Sequence, residues 1–145
     1  MSIPITDESF GVIPLKKENN KWLALILKQR AGHWSFPKGH KNNVLETPID
    51  AAQRELFEET GFKVKKFLFP ETLQETYFVD KNNETKKTVT YFVALVEGDM
   101  KLCHIEVESA MWISLDELFQ TIDLKESKHQ LIEELKQLLS SYSKL

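Results

Sequence analysis

The chain reads as an α/β (α+β) fold, an α/β/α sandwich around a mixed β-sheet. Three observations carry that reading. Trp22-Leu23-Ala24-Leu25-Ile26-Leu27 is a continuous apolar run, suited to a strand buried on both faces. Thr47 to Gly61 holds a helix start, a helical period and a helix stop. Leu131, Ile132, Leu135, Leu138 and Leu139 recur at helical spacing near the end. Strands, a helix, strands and helices in that order build layers around one sheet.

Phe10 to Leu15 is apolar and reads as the first strand, with Lys16-Lys17-Glu18-Asn19-Asn20 as the polar turn after it. Trp22 to Leu27 is the second strand. Gln29 to Val44 contains Gly32, Pro37, Gly39 and an Asn pair, so it reads mostly as loop. At Thr47-Pro48-Ile49-Asp50 a helix opens: Thr47 caps, Pro48 suits the first helical position and Asp50 favours the positive end. It runs to about Thr60 and stops at Gly61. Phe62 to Val79 is β-rich with Pro70 interrupting it, and Asp80 to Glu84 is a turn. Thr88 to Val96, dense in β-branched and aromatic residues, is the clearest strand. Ala110 to Ile113 is a short one. Ser114-Leu115-Asp116-Glu117 fits a capping box, and Ser127-Lys128-His129-Gln130 opens the C-terminal amphipathic helix.

The length of 145 residues suits one domain, residues 1–145, around one core. With 41% hydrophobic and 28% charged residues the composition is that of a soluble globular domain. A net charge of -3 provides no global basic field for wrapping nucleic acid, while leaving room for a local basic pocket. No apolar run is long enough to span a bilayer, so no membrane partner is expected. Met1-Ser2-Ile3-Pro4 shows no secretory signal. Cys103 is the single cysteine and has no internal disulfide partner, which makes a reducing cytoplasm the expected compartment.

The chemistry-bearing segment is Gly39 to Phe62. Glu55, Glu58 and Glu59 fall within an arc of roughly 100° on the helix, beside the core-facing arc of Ile49, Ala52, Leu56 and Thr60. Like charges at this spacing repel, so something positive should compensate. A solvated acidic face is the plain explanation of Glu-x-x-Glu-Glu alone. Hard divalent cations with oxygen ligands are the functional one, and Mg²⁺ is the commonest partner of phosphate substrates, with Mn²⁺ able to substitute.

The wider pattern decides between them. The segment resembles the Nudix box, Gly-x5-Glu-x7-Arg-Glu-U-x-Glu-Glu-x-Gly-U, where U is a bulky apolar residue. Gly39, Glu46, Arg54, Glu55, Leu56, Glu58, Glu59, Gly61 and Phe62 fill the specified positions. At background residue frequencies, a chance match is on the order of 10⁻⁸ to 10⁻⁷. The one departure is that six residues, not five, separate Gly39 from Glu46, an insertion in the loop before the helix. The resemblance implies that Glu55, Glu58 and Glu59 hold divalent cations along a diphosphate. It implies that the Gly39 carbonyl adds a ligand and that Arg54 pairs with a Glu of the box. It further implies attack of water on phosphorus in a nucleoside diphosphate linked to another group. The spacing leaves the general base open between the box and a Glu on a later loop. Glu106, six residues before Trp112, matches that later Glu; an ordinary loop carboxylate is its plain alternative.

Flanking pieces resemble the asymmetric diadenosine tetraphosphate hydrolases within that family, over roughly residues 8 to 120. His33-Trp34-Ser35-Phe36-Pro37-Lys38-Gly39-His40 is similar to their His-Trp-x-x-Pro-Lys-Gly-His, and Lys87-Thr88-Val89 with Tyr91 to their Lys-Thr-Val-x-Tyr. By that resemblance His33, Lys38 and Lys87 contact phosphates, and Tyr77 and Tyr91 are the candidates for stacking a base, with Phe78 a weaker one. A solvated basic cluster explains Lys86 and Lys87 without function, and strand packing explains the tyrosines. Trp22 and Trp34 read as core, and His40 as a brace of the loop. The expected partner is a small-molecule nucleoside polyphosphate, cleaved to ATP and AMP when it is diadenosine tetraphosphate. The rivals are pyrophosphate removal from a 5′-triphosphate RNA end, cleavage of other nucleoside diphosphate-linked compounds, and a non-catalytic nucleotide-binding regulator. The intact box argues against the last. Neither the number of metal ions nor the oligomeric state follows from the sequence.

Overall fold

The computed structural model describes residues 3, 5–121 and 126–142. Met1, Ser2 and Pro4, on which the reading of the N-terminus rests, lie outside them. The elements are β1 (Ile5–Glu18), β2 (Lys21–Gln29), β3 (Trp34–Ser35), β4 (Lys38–Gly39), α1 (Pro48–Thr60), β5 (Lys63–Phe67), β6 (Leu73–Phe78), β7 (Thr85–Glu97), β8 (Val107–Ser114), α2 (Leu115–Thr121) and α3 (Glu126–Tyr142).

The strands form one mixed sheet with the path β3-β2-β1-β7-β5, β8 pairing with β2, β6 with β7 and β4 with β1. Among the described residues β1 and β7 make the parallel pair, running in register from Ile5 opposite Thr85 to Leu15 opposite Leu95. β1 and β2 form a hairpin on Asn19 and Asn20, both at positive φ (51° and 63°), as a two-residue turn matching the strand twist requires. The polar turn is therefore shorter than expected, because pairing draws Lys16 to Glu18 into β1.

The continuous apolar run of β2 explains the layering. Ala24 and Ile26 pack on one face with Ile13, Leu15 and Val93, under Leu131, Ile132, Leu135 and Leu139 of α3. Leu25 and Leu27 pack on the other with Phe10, Val12 and Ala94, under Ala51, Ala52 and Leu56 of α1. The α/β/α sandwich is thus present. Trp22 and Trp34 pack against the α3-side core, as expected. Two details differ. The stretch Gln29 to Val44 contains β3 and β4, which neighbouring strands impose on residues with no strand signal of their own. Phe62 to Val79 divides into β5 and β6, with Pro70 between them.

Candidate functional site

The terminal signals of α1 operate as read. Thr47 Oγ1 accepts the Asp50 N–H at 3.2 Å, and Gly61 closes the helix at φ 81° with its N–H on the Phe57 carbonyl. Ala52, Leu56 and Thr60 are buried as expected, and the buried face extends beyond them. Ala51 is buried, Ile49 is only half-buried, and Glu59 lies on the buried side at 4% exposure.

Arg54 organises the loop before the helix. Its Nε and Nη2 donate to Glu46 at 2.8 and 3.1 Å, its Nη1 to Glu55 at 2.9 Å and Glu58 at 3.1 Å, and its Nη2 to the His40 carbonyl at 2.7 Å. One guanidinium thus binds three carboxylates, and these hydrogen bonds, that to Glu46 foremost, raise its own pKa. The same bonds hold the Glu46 carboxyl below the usual carboxylate range. With the extra loop residue present, Glu46 still reaches Arg54. Asn43 Oδ1 takes the N–H groups of Leu45 and Glu46, and Glu46 Oε1 takes the N–H of Asn42, so a compact turn absorbs the insertion.

Gly39 and Glu55 are in direct contact across β4 and α1. A Cβ at Gly39 would stand 2.2 to 2.5 Å from the Glu55 carboxyl atoms, so only glycine leaves room for this carboxylate. Burial raises the Glu55 pKa. Glu59 accepts the Lys38 backbone N–H at 2.9 Å and a longer contact from Gln29 at 3.5 Å. Its pKa is pushed up to about 8, chiefly by burial and then by the Glu55 charge. Glu58 is more exposed, turned toward Arg54.

Beside this stripe lies a cavity of about 360 Å³ lined by Gln29, Arg30, His33, Lys38, Glu59 and Glu106. The pKa of Lys38 falls to about 8, first through burial and then through the charges of Lys87 and Lys128. Glu106 is exposed, and its charge adds to the elevation of Glu55 and Glu59. Among the described residues its carboxylate has no hydrogen-bond or ion-pair partner.

Strand register places further polar groups on one face of the sheet. Asp7, Lys87 and Tyr77 form one row, and Ser9, Val89 and Glu75 the next. Lys87 Nζ lies 3.7 Å from Asp7, and His40 Nε2 is 2.8 Å from the same carboxylate, so His40 does brace its loop. From α3, Lys128 Nζ bonds both Glu75 oxygens at 3.1 and 3.2 Å and sits 5.8 Å from the Tyr77 ring centroid. Ser127 Oγ donates to Glu75 at 2.7 Å. Tyr77 is half-buried at the end of its row. Tyr91, the other stacking candidate, is instead fully buried with its ring edge-on to Phe36, because its alternation on β7 points it into the core beside Val89 and Val93. It offers no face to a base.

His33, Lys38, Glu59 and Glu106 thus line one cavity; Gly39, Arg54, Glu55 and Glu58 adjoin Glu59; Lys87 and Tyr77 belong to the neighbouring sheet rows. Sequence reasoning missed Asp7, Arg30, Glu75 and Lys128. Glu75 left a trace: it alternates with Leu73 and Tyr77 on the inward side of a strand, where a carboxylate needs a partner.

The residues fit a hard divalent cation. Glu55, Glu58 and Glu59 with the Gly39 carbonyl are all oxygen donors, and the Gly39 cradle keeps Glu55 against the loop. Among the described residues no three acidic, His or Cys side chains close into a complete cage.

Solved structures share this fold. The structure of a C. elegans Ap4A hydrolase binary complex is similar over 92% of this chain and 98% of that one, at 24% identity and a TM-score of 0.74. The MutT protein from Methanosarcina mazei Go1 aligns over 94% and 97% at 22% identity and 0.72. The NUDIX domain of Shewanella oneidensis NrtR, complexed with ADP ribose, aligns over 96% and 90% at 16% identity and 0.71. Residues 6–135 match the NUDIX domain model. The chain therefore belongs to the NUDIX domain family, whose hydrolases act on nucleoside diphosphate-linked compounds and generally use divalent metal ions.

Proposed function

We propose that this protein hydrolyses diadenosine tetraphosphate asymmetrically, to ATP and AMP, with Mg²⁺ as its metal. The observation that carries the reading is a run of cations leading away from the acidic stripe. Lys38 borders Glu59 and feels the charge of Lys87, which stands opposite Tyr77 on the next strand. A diphosphate needs few cations beyond its metals; a four-phosphate chain ending in a second nucleoside needs a longer cationic track and an aromatic face at its end. The C. elegans Ap4A hydrolase structures, at 24% and 25% identity, support the same substrate.

Glu55, Glu58, Glu59 and the Gly39 carbonyl would hold the metal. Bound there, a divalent cation neutralises phosphate oxygens and makes water a better nucleophile. Arg54 keeps Glu46, Glu55 and Glu58 in place. Lys38, Lys87 and His33 bind phosphate oxygens, and Tyr77 stacks a base. Glu106, whose carboxylate has no other partner among the described residues, takes the proton of the attacking water. The water oxygen joins the phosphorus fourth from one adenosine, and the bridging P–O bond breaks toward ATP.

The test compares kcat/KM for diadenosine tetraphosphate, ADP-ribose, triphosphorylated RNA and oxidised dGTP, with cleavage of the first run in ¹⁸O water. Preference for diadenosine tetraphosphate by tenfold or more, with the label in AMP, is expected. Label in ADP, or preference for another substrate, overturns the proposal.

A further inference from the structure

The carboxylate assigned above as proton acceptor sits just before β8, on a stretch with little structure of its own. Its neighbour Ile105 is 86% exposed; Leu102 and Val107 pack into the core on either side, and hydrogen bonds fix the turn between them. On one side the Lys101 and Cys103 N–H groups donate to the Thr60 and Glu59 carbonyls at 2.7 and 3.0 Å, fastening the segment to the end of α1. Within the turn the Glu106 and Val107 N–H groups share the Cys103 carbonyl at 3.0 and 2.8 Å. On the other side Arg30 grips it twice: its backbone N–H donates to the Glu106 carbonyl at 2.9 Å, and its side-chain Nε donates to the His104 carbonyl. The pairing of β2 with β8 is irregular at this point. Lys28 faces Ser109 and Gln29 faces Val107, so one step on β2 spans two on β8. Such bulges redirect the chain and the side chains that follow.

We infer that Arg30 is a positioning residue: it clamps the 103–106 turn against the end of β2 and so holds the Glu106 carboxylate at the mouth of the cavity it shares with Glu59. The inference rests on the reading of Glu106 as the working base. Arg30 stands outside every motif segment quoted above, and its own side chain is exposed, so its removal leaves the core untouched. The Nε–H holds the His104 carbonyl, and a lysine supplies a single point donor in place of the planar fork.

The experiment is a double-mutant cycle of Arg30→Ala and Glu106→Gln, with Arg30→Lys as the conservative variant, measured on whichever nucleotide the wild-type protein cleaves fastest. Backbone amide exchange of the same metal-free proteins is followed in parallel. Arg30→Ala should lower kcat by roughly 10- to 100-fold with little change in KM, as misplacement of a catalytic group does. Arg30→Lys should recover part of the loss. On the Glu106→Gln background, Arg30→Ala should cost less than about twofold, since nothing is left to position. The Glu106 and Val107 amides should lose protection in Arg30→Ala while those of α1 keep theirs. Equal losses in both backgrounds would show that Arg30 touches substrate directly and overturn the positioning role alone. Unchanged amide protection overturns the clamp. Wild-type turnover by Glu106→Gln overturns the reading of Glu106, and the positioning role with it.

Discussion

Glu59→Gln separates what the site demands from what the fold prefers. In the folded, metal-free protein the Glu59 carboxyl titrates at about 8, against 4.5 for an exposed glutamate, because burial and the Glu55 charge oppose its ionisation. A raised folded pKa favours the fold fully below about pH 4.5, and that advantage is lost as pH rises through about 8. At roughly 1.4 kcal/mol per pH unit of displacement, the difference is at most about 4 kcal/mol at pH 7.5 and less than about 1 kcal/mol at pH 5. Glutamine keeps an oxygen for the Lys38 N–H and carries no charge. The variant should therefore melt higher than wild type at pH 7.5 without metal, by about 5 to 10 °C at roughly 3 °C per kcal/mol, and nearly level with it at pH 5. Mg²⁺ should raise the wild-type Tm and leave that of the variant unmoved, while turnover falls by orders of magnitude. Differential scanning calorimetry at both pH values, with and without Mg²⁺, measures all of this. A variant that is less stable than wild type at pH 7.5, or offset equally at both pH values, would refute the claim that burying this charge strains the metal-free fold. Near-normal turnover would refute its role as a ligand.

Two further substitutions probe the neighbours of this group. Gly39→Ala puts a methyl where the Glu55 carboxylate lies, and the end of that side chain is what moves; Mn²⁺ affinity by electron paramagnetic resonance should fall at least about tenfold with Tm nearly constant, and unchanged affinity would remove Glu55 from the ligand set. Lys128→Met strands Glu75, whose side chain is 0% exposed, and should cost about 3–5 kcal/mol in urea unfolding, most of it restored by adding Glu75→Gln; a loss below about 1 kcal/mol would show that the pair does not brace α3 against β6.

The parts of this site that the sequence displays are those whose signals are local. Thr47 and Gly61 bound α1 through bonds to residues at most four positions away, Pro48 fits its first turn, and the spacing of Arg54, Glu55, Glu58 and Glu59 is intrahelical. The parts it hides are made by pairing. Nothing near Lys128 announces that α3 will deliver it to Glu75, and nothing near Arg30 announces that a bulge will bring the 103–106 turn under it. Tyr91 fits a stacking motif by its neighbours, yet β7 alternation at that register sends it into the core. β3 and β4 are two residues each and exist only because β2 and β1 offer them an edge. Motif spacing identifies the acidic helix and its arginine; the cation track and the clamp on Glu106 emerge only when distant strands are laid side by side.

The parallel pairing of β1 with β7 governs when such a site can come into being. Ile5 to Leu15 must find partners about 80 positions later in the chain, and α1 lies between the two. Loop closure of that span comes before any reward from its contacts, which is characteristic of slow, late assembly. A nascent chain that has emerged only as far as Phe62 owns every letter of the motif and yet lacks the central strand beside the one on which its helix rests. Synthesis has to pass Glu97 before the acidic helix gains its full platform, so the family signature and the working centre are born at different moments.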